Sequence, residues 1–219
     1  MQYTEQKIYS NNGNIAVLEN IKGEAKKILD IGCGNGDNAK FLKASNHIVD
    51  GITLSPTEAE NAKNYLRAVY IHNLEQGLPD SLRDRYDYVI CSHVIEHIAY
   101  PEKLLKDIES VLKDDGCLIV ALPNVMNYRF RWELLKGNFP FEESGIWDYT
   151  HLRWYTFKSG KEMLMRNNFQ VEKATVDGDI PLLSVFRIIP KNIRKKFYTL
   201  LTHLSEGFFG GQLIYVARK

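Results

Sequence analysis

KILDIGCGNGDN, residues 27–38, decides how the rest of the chain is read. Ile28, Leu29 and Ile31 form a short apolar run with one carboxylate, Asp30, set near its end. Gly32, Gly34 and Gly36 follow at alternate positions, interleaved with Cys33 and Asn35, and a helical pattern takes over at Asp37. Glycine tolerates positive φ and carries no Cβ. A strand, a glycine turn and a helix in that order therefore let a backbone approach a ligand at the carboxyl end of a parallel strand. The spacing D-x-G-x-G-x-G differs from the G-x-G-x-x-G of dinucleotide-binding turns. The stretch predicts an open α/β sheet with a ligand held above its first strand.

The 219 residues suffice to bury a full core and read as one domain over 1–219. Charged residues at 25% and apolar ones at 44% are those of a globular chain. Lys+Arg 28 against Asp+Glu 27 gives no overall field, which argues against nucleic acid as a partner. The first ten residues, MQYTEQKIYS, lack the apolar core of a leader, and no run approaches the roughly 18 apolar residues of a membrane-spanning helix. Cys33, Cys91 and Cys117 fall on or beside expected strands without metal-like spacing, as reduced thiols of a cytoplasmic protein do.

Apolar runs predict further strands over 47–52, 68–72, 86–91, 117–122, 169–176 and 213–217. Helices are expected within 1–26, over 37–44, and over 56–66, where Ser55 is a good cap and Pro56 suits the first helical position. Another starts at Pro101 with a stripe at Leu104, Leu105, Ile108 and Leu112, and residues 114–116, DDG, read as the turn that ends it. The interval 123–157 is too long for an ordinary connection. It holds all three tryptophans, Trp132, Trp147 and Trp154, with seven other aromatics, and is expected to be a small subdomain covering the site. Packing takes most of those rings and substrate the minority. In 180–211 an apolar stripe flanks an acid-free basic run containing Arg187, Lys191, Arg194, Lys195 and Lys196. This suits a lid, an oligomer contact, or a peripheral membrane contact through 180–209.

The D-x-G-x-G-x-G of residues 30–36 resembles the first motif of class I S-adenosylmethionine-dependent methyltransferases. The resemblance implies a Rossmann-like seven-stranded sheet of order 3-2-1-4-5-7-6, with the aromatic-rich insertion after strand five. It implies S-adenosyl-L-methionine over Asp30, Gly32, Cys33, Gly34, Asn35 and Gly36. The acid that usually follows strand two in that family is replaced by Thr53. G-I-T-L-S-P-T-E, residues 51–58, looks instead like the version in cyclopropane-fatty-acid-synthase-like methyltransferases, where a glutamine one turn on serves the ribose. Thr53, Leu54 and Glu58 match those positions, with Glu58 as the ribose acceptor. Asn73 and Leu74 match the adenine contacts, and Ser92 and His93 follow strand four beside the cofactor. P-N after strand five and DYTHLRWYT, residues 148–156, resemble a methyltransferase subgroup associated with surface-polysaccharide and secondary-metabolite synthesis. The same layout is similar to a methyltransferase-like partner of homoserine acyltransferase. A non-catalytic partner subunit is therefore the alternative reading, and an RNA methyltransferase the third.

Methyl transfer to a hydroxyl needs alignment and a proton acceptor. His97 and His151, in the two segments flanking the family's substrate pocket, are the candidate bases, with Glu96 orienting a histidine. His93, Glu96 and His97 stand at i, i+3 and i+4, on one face if the turn is helical, and His151 arrives from the insertion. That set resembles the divalent-metal ligands of small-RNA 3′-end methyltransferases. Three imidazoles and one carboxylate favour a transition metal over magnesium. Asn124, Tyr128, Arg129, Arg153 and Trp154 are the substrate candidates, with the arginines, Arg131 among them, suited to a phosphate or carboxylate. The sequence thus predicts O-methylation of a small-molecule or sugar hydroxyl.

Overall fold

The computed structural model describes residues 13–82, 85–178, 190, 193, 200–202 and 205–219. Its strands are β1 Lys27–Ile31, β2 Ile48–Thr53, β3 Ala68–Ile71, β4 Tyr86–Ser92, β5 Leu112–Pro123, β6 Gln170–Asp177 and β7 Gln212–Arg218. They form one sheet in the order β3-β2-β1-β4-β5-β7-β6, as the motif implied. The first five run parallel, and β7 lies antiparallel between β5 and β6. The helices are α1 Ile15–Leu18, α2 Asp37–Leu42, α3 Pro56–Ala62, α4 Pro101–Val111, α5 Tyr128–Leu135, α6 Phe157–Arg166 and α7 Glu206–Phe209.

Unbroken apolar runs become central strands here because helices cover both sheet faces, so both side-chain directions need burial. Leu29, Ile31, Val89, Cys91, Leu118 and Val120 face one way, onto Leu104, Leu105 and Ile108 of α4 and Leu164 of α6. Ile28, Val49, Ile90 and Ile119 face the other way, onto Val17, Ala39, Leu42 and Ala62 of α1, α2 and α3. Local signals set the helix starts. Ser55 Oγ accepts from Glu58 N at 3.3 Å with Pro56 opening α3. Thr156 and Ser159 cap α6 reciprocally. All three cysteines are buried and unpaired.

Several boundaries differ from expectation. The DDG turn at residues 114–116 lies inside β5, where the pairing jumps from Tyr86↔Leu112 to Tyr88↔Cys117. The extra residues bulge from the ladder, and Lys113 there meets Asp87 at 2.9 Å. Leu112, expected at the end of the α4 stripe, is buried as the first residue of β5. α2 and α3 stop at Leu42 and Ala62, earlier than the pattern suggested. Residues 1–12 and most of the 180–211 segment lie outside the described residues.

In the insertion after β5, Asn124 and Tyr155 form a bridge that closes its base. Phe130 stacks on Trp147 with centroids 4.0 Å apart, and Phe139 and Trp154 pack around that pair. These four rings form an apolar hub within the insertion, while Trp132 and Phe141 remain exposed.

Gly51, in the middle of β2, is where fold and site meet. A Cβ there would stand 2.6 Å from Cys33 Sγ and 2.8 Å from Leu66 Cδ1. Gly51→Ala is expected to cost about 1–3 kcal/mol through overpacking. It should also push Cys33 out of register, so a thermal melt and a cofactor titration should both worsen. An unchanged melt would show that the strand and loop absorb the methyl.

Candidate active site

The carboxyl ends of β1, β2 and β4 converge on the glycine turn. Gly32 N and Cys33 N donate to Ile52 O at 2.8 and 2.9 Å, which hooks the turn onto β2. Gly32, Gly34 and Gly36 have φ of +73°, +51° and +81°, the left-handed conformation that glycine adopts without strain. A Cβ on Gly32 would meet Val94 Cγ2 at 2.4 Å, so the turn lies directly against the segment after β4. Asn35 Oδ1 accepts from Asn61 Nδ2 of α3 at 2.9 Å.

Asp30 is 1% exposed, and both its oxygens accept from Asn38 Nδ2, at 3.3 and 3.2 Å. Burial pushes its pKa up to about 7, against the Asn38 hydrogen bond, with Asp37 adding to the rise. Asp30 thus braces the turn from beneath. Cys33 is buried against Gly51, and burial pushes its thiol up, helped by the charges of Asp30 and Glu58.

At the end of β2, Thr53 Oγ1 donates to Glu58 Oε2 at 2.6 Å, and both residues are buried. The two motif residues therefore act as one unit, with the carboxylate beside the position of the missing acid. Leu54 is half-buried next to them. Asn73 Oδ1 caps the short 3-10 turn that follows, accepting from Glu75 N at 3.0 Å, so its amide oxygen already holds one partner. Leu74 packs against the main core cluster.

After β4 the chain does not form the α-helical turn expected for His93, Glu96 and His97. It makes a 3-10 turn at Ile95–His97, with His93 outside it at φ +56°. His93 nevertheless reaches Glu96, Nδ1 to Oε1 at 3.3 Å, while its Nε2 meets Gln212 Oε1 at 3.0 Å. Asp177 Oδ2 accepts from Gln212 Nε2 at 3.0 Å, which orients the amide with its oxygen toward His93. Both ring nitrogens of His93 thus face acceptors, a setting for the imidazolium. Burial opposes that charge, and Glu96 with Gln212 overcomes it, so the His93 pKa is raised. His93 is accordingly a partner of Glu96 rather than a member of the metal-ligating geometry.

That geometry is formed by Glu96, His97 and His151, whose ligand atoms lie within 4.8 Å of one another. Glu96 is 0% exposed, and neither carboxylate oxygen accepts a hydrogen bond from any of the described residues. His151 Nε2 lies 4.0 Å from Glu96 Oε1, and the two imidazole centroids are 4.7 Å apart, edge to face. Burial lowers the His151 pKa and His97 adds to that, against the pull of Glu96 and Asp148.

Residues 148–153 explain how His151 arrives. Asp148 Oδ1 accepts from Thr150 N at 2.9 Å and Thr150 Oγ1 at 2.6 Å, and Thr150 Oγ1 contacts His97 Nδ1 at 3.0 Å. Leu152 N and Arg153 N both donate to Glu96 O, at 2.8 and 3.0 Å. The Arg153 guanidinium donates to Ala99 O, with Nε at 2.7 Å.

Two expected substrate contacts already hold structural partners. Arg153 is spent on a backbone carbonyl. Asn124 is fully buried, with its amide donating to Gly207 O and Gly210 O at 3.1 and 2.8 Å. Trp154 packs 5.6 Å from His151, Tyr128 packs 6.0 Å from Phe208, and Arg131 Nε donates to Met126 O at 2.8 Å. Tyr128 and Arg129 border a cavity of about 520 Å³ with Trp132, Glu133, Pro140, Glu142 and Trp147.

Sequence reasoning missed Asn14 and Gln212, which pair side chain to side chain across 198 residues. Asn14 also donates to Ser92 Oγ at 3.0 Å, and its N–H reaches Asn38 Oδ1 at 2.9 Å. A polar chain thus runs from Asp30 through Asn38, Asn14 and Gln212 to His93. No local pattern marks Asn14 or Gln212; Asp148 and Thr150 were signalled by the D-Y-T-H string.

The sequence profile of a family described as "Methyltransferase domain" matches residues 3–174, and the chain belongs to that family. A ubiquinone biosynthesis O-methyltransferase of Rickettsia felis is 30% identical over 127 residues, covering 57% of this chain and 49% of that protein. The protein of the same description from Coxiella burnetii is 25% identical over 139 residues, covering 61% and 59%. The chain spans about half the length of the curated relatives it matches. In fold it is similar to a SAM-dependent methyltransferase from Archaeoglobus fulgidus, with TM-score 0.66 at 20% identity over 94% of this chain and 90% of that one. A possible histamine N-methyltransferase from Thermotoga maritima gives 0.63 at 20% identity over 94% and 86%. Among the described residues no helix is long and apolar enough to cross a membrane.

The Asp30 carboxyl yields a pH prediction for the protein without cofactor. Its folded pKa of about 7 lies above the unfolded value near 3.8, so the fold holds an extra proton between those limits. Stability on this account is full below about pH 4 and falls as pH rises through 7. Asp30→Asn removes the penalty while keeping an acceptor for Asn38. Its melting temperature should exceed that of the unsubstituted chain by several degrees at pH 8 and by little at pH 4.5. An equal difference at both values would mean that Asp30 does not carry this proton.

Proposed function

We propose that the protein transfers a methyl group from S-adenosylmethionine to a hydroxyl of a small molecule, most suitably a sugar in a nucleotide-linked or surface-glycan precursor. The observation that carries the reading is the buried Glu96 with His97 and His151, two residues beyond the Val94 that abuts the glycine turn. The chain's residues fit the cofactor. The turn lacks Cβ atoms where its backbone is left-handed, and the Thr53–Glu58 pair supplies a carboxylate for ribose hydroxyls at the end of β2. When bound, the cofactor supplies an electrophilic methyl on a sulfonium. The acceptor oxygen forms the new carbon–oxygen bond as the carbon–sulfur bond breaks with its electron pair passing to sulfur. The hydroxyl proton leaves on the Glu96, His97 and His151 side.

The O-methyltransferase description of the relatives supports a hydroxyl acceptor. Trp132, Trp147 and Tyr128 beside Arg129 around the cavity in the insertion favour a flat or sugar-like body carrying an anionic group.

Calorimetric titration with S-adenosylmethionine and S-adenosylhomocysteine should show one site per chain for each. Glu58→Ala should weaken both by about 10- to 100-fold, the worth of hydrogen bonds to a charged group. Turnover of nucleotide sugars, scored by S-adenosylhomocysteine release, then tests the acceptor class against simple phenols. No cofactor binding by the folded chain would replace this reading with that of a non-catalytic partner subunit.

A further inference from the structure

Three features converge on one point of the fold. The first is a fully buried carboxylate, Glu96, with no hydrogen bond at either oxygen among the described residues. A buried anion without such partners costs several kcal/mol unless a cation answers it. His93, 3.3 Å from Oε1, answers part of that charge from one side, and Oε2 keeps its lone pairs to offer.

The second feature is the tautomer of each imidazole. His97 Nδ1 faces the Thr150 carbonyl at 3.3 Å and the Thr150 hydroxyl at 3.0 Å. That hydroxyl gives its own hydrogen to Asp148 Oδ1 at 2.6 Å, so toward His97 it accepts. His97 therefore carries its hydrogen on Nδ1 and its lone pair on Nε2. His151 Nδ1 faces the Ile146 carbonyl at 3.3 Å, which fixes the same tautomer. Its Nε2 lone pair then points to Glu96, 4.0 Å from Oε1. A second partner that fixes the far nitrogen of each imidazole is what metal-ligating histidines have.

The third feature is the spacing. Two ligands each about 2.0–2.2 Å from one ion stand up to roughly 4.3 Å apart. In a tetrahedral set such ligands stand about 3.4 Å apart; the three ligand atoms here lie within 4.8 Å of one another, so side-chain adjustments of about an ångström close the set.

We propose that Glu96, His97 and His151 bind a divalent first-row transition ion, with an open position for the acceptor hydroxyl. Two nitrogens and one carboxylate suit zinc, cobalt or iron(II) better than magnesium, which prefers oxygen ligands. The proposal rests on the methyl-transfer reading for its role. The ion lowers the pKa of a bound hydroxyl, whose proton passes to solvent, and the resulting alkoxide oxygen attacks the methyl carbon while the carbon–sulfur pair returns to sulfur. His93, held by Gln212, stays outside the coordination set.

The test is titration of the chelator-treated full chain with cobalt(II), followed by visible absorption and by thermal melting. One equivalent should bring in the d–d bands of a nitrogen-and-oxygen site and raise the melting temperature. Glu96→Gln and His151→Ala should each lose the bands, while S-adenosylmethionine affinity, measured separately by calorimetry, holds. His151→Gln, which retains bulk, serves if either variant fails to fold. His93→Ala should keep the bands. Absence of cobalt(II) and zinc(II) binding at 100 µM (about −5.5 kcal/mol) in the unsubstituted chain would overturn the proposal. So would bands that survive loss of Glu96 and of His151. Retained cofactor binding in either case would leave the methyltransferase reading standing.

Discussion

The docking of residues 148–153 onto the turn that follows β4 is the contact on which the candidate site depends. Five residues of that short stretch face the turn or its histidine. Asp148 and Thr150 hold His97, His151 faces Glu96, Leu152 and Arg153 bond the Glu96 carbonyl, and Arg153 clasps Ala99. These contacts join two segments more than fifty residues apart and bring the imidazoles together with the carboxylate. They also anchor one end of the aromatic insertion, whose other ties to the body include the Asn124–Tyr155 bridge and the clasp on residues 207–210.

The molecule handles its buried carboxylates in three different ways. Asp50 in β2 is met by the Arg67 guanidinium, with Nε at 2.8 Å, and by the Tyr86 hydroxyl at 2.8 Å, so charge and hydrogen bonds compensate its burial. Asp30 has an amide and no cation, and its affinity for a proton rises instead. Glu96 has imidazoles around it, and among the described residues its carboxylate oxygens accept no hydrogen bond. The first solution serves stability. The other two lie at the ends of β1 and β4, where the sheet opens.

Most of the architecture was legible because it rests on local physics. Continuous apolar runs, the glycine turn and the Ser55-Pro56 start each act within a few residues, and each produced the expected element. The bulge in β5 was not legible. DDG has the chemistry of a turn, but the strand pairing on either side of it overrides that preference. In the site, the residue types were readable and their partners were not. Arg153 and Asn124 look available in the sequence, yet tertiary contacts consume them. The Asn14–Gln212 pair depends on the two ends of the described chain meeting at one sheet opening, which no window of sequence contains.

Gly51 and Cys33 touch in a way that reaches beyond ligand binding. All three thiols are buried, and burial raises the pKa of Cys33, Cys91 and Cys117 alike. Thiol reagents attack the thiolate, so the closed fold is nearly inert to them. Each cysteine also sits in a different place: under the glycine turn, in the central strand, and beside the β5 bulge. The chain thereby carries three native clocks for local opening. The order in which they are alkylated ranks the turn, the sheet centre and the bulge by how often each breathes.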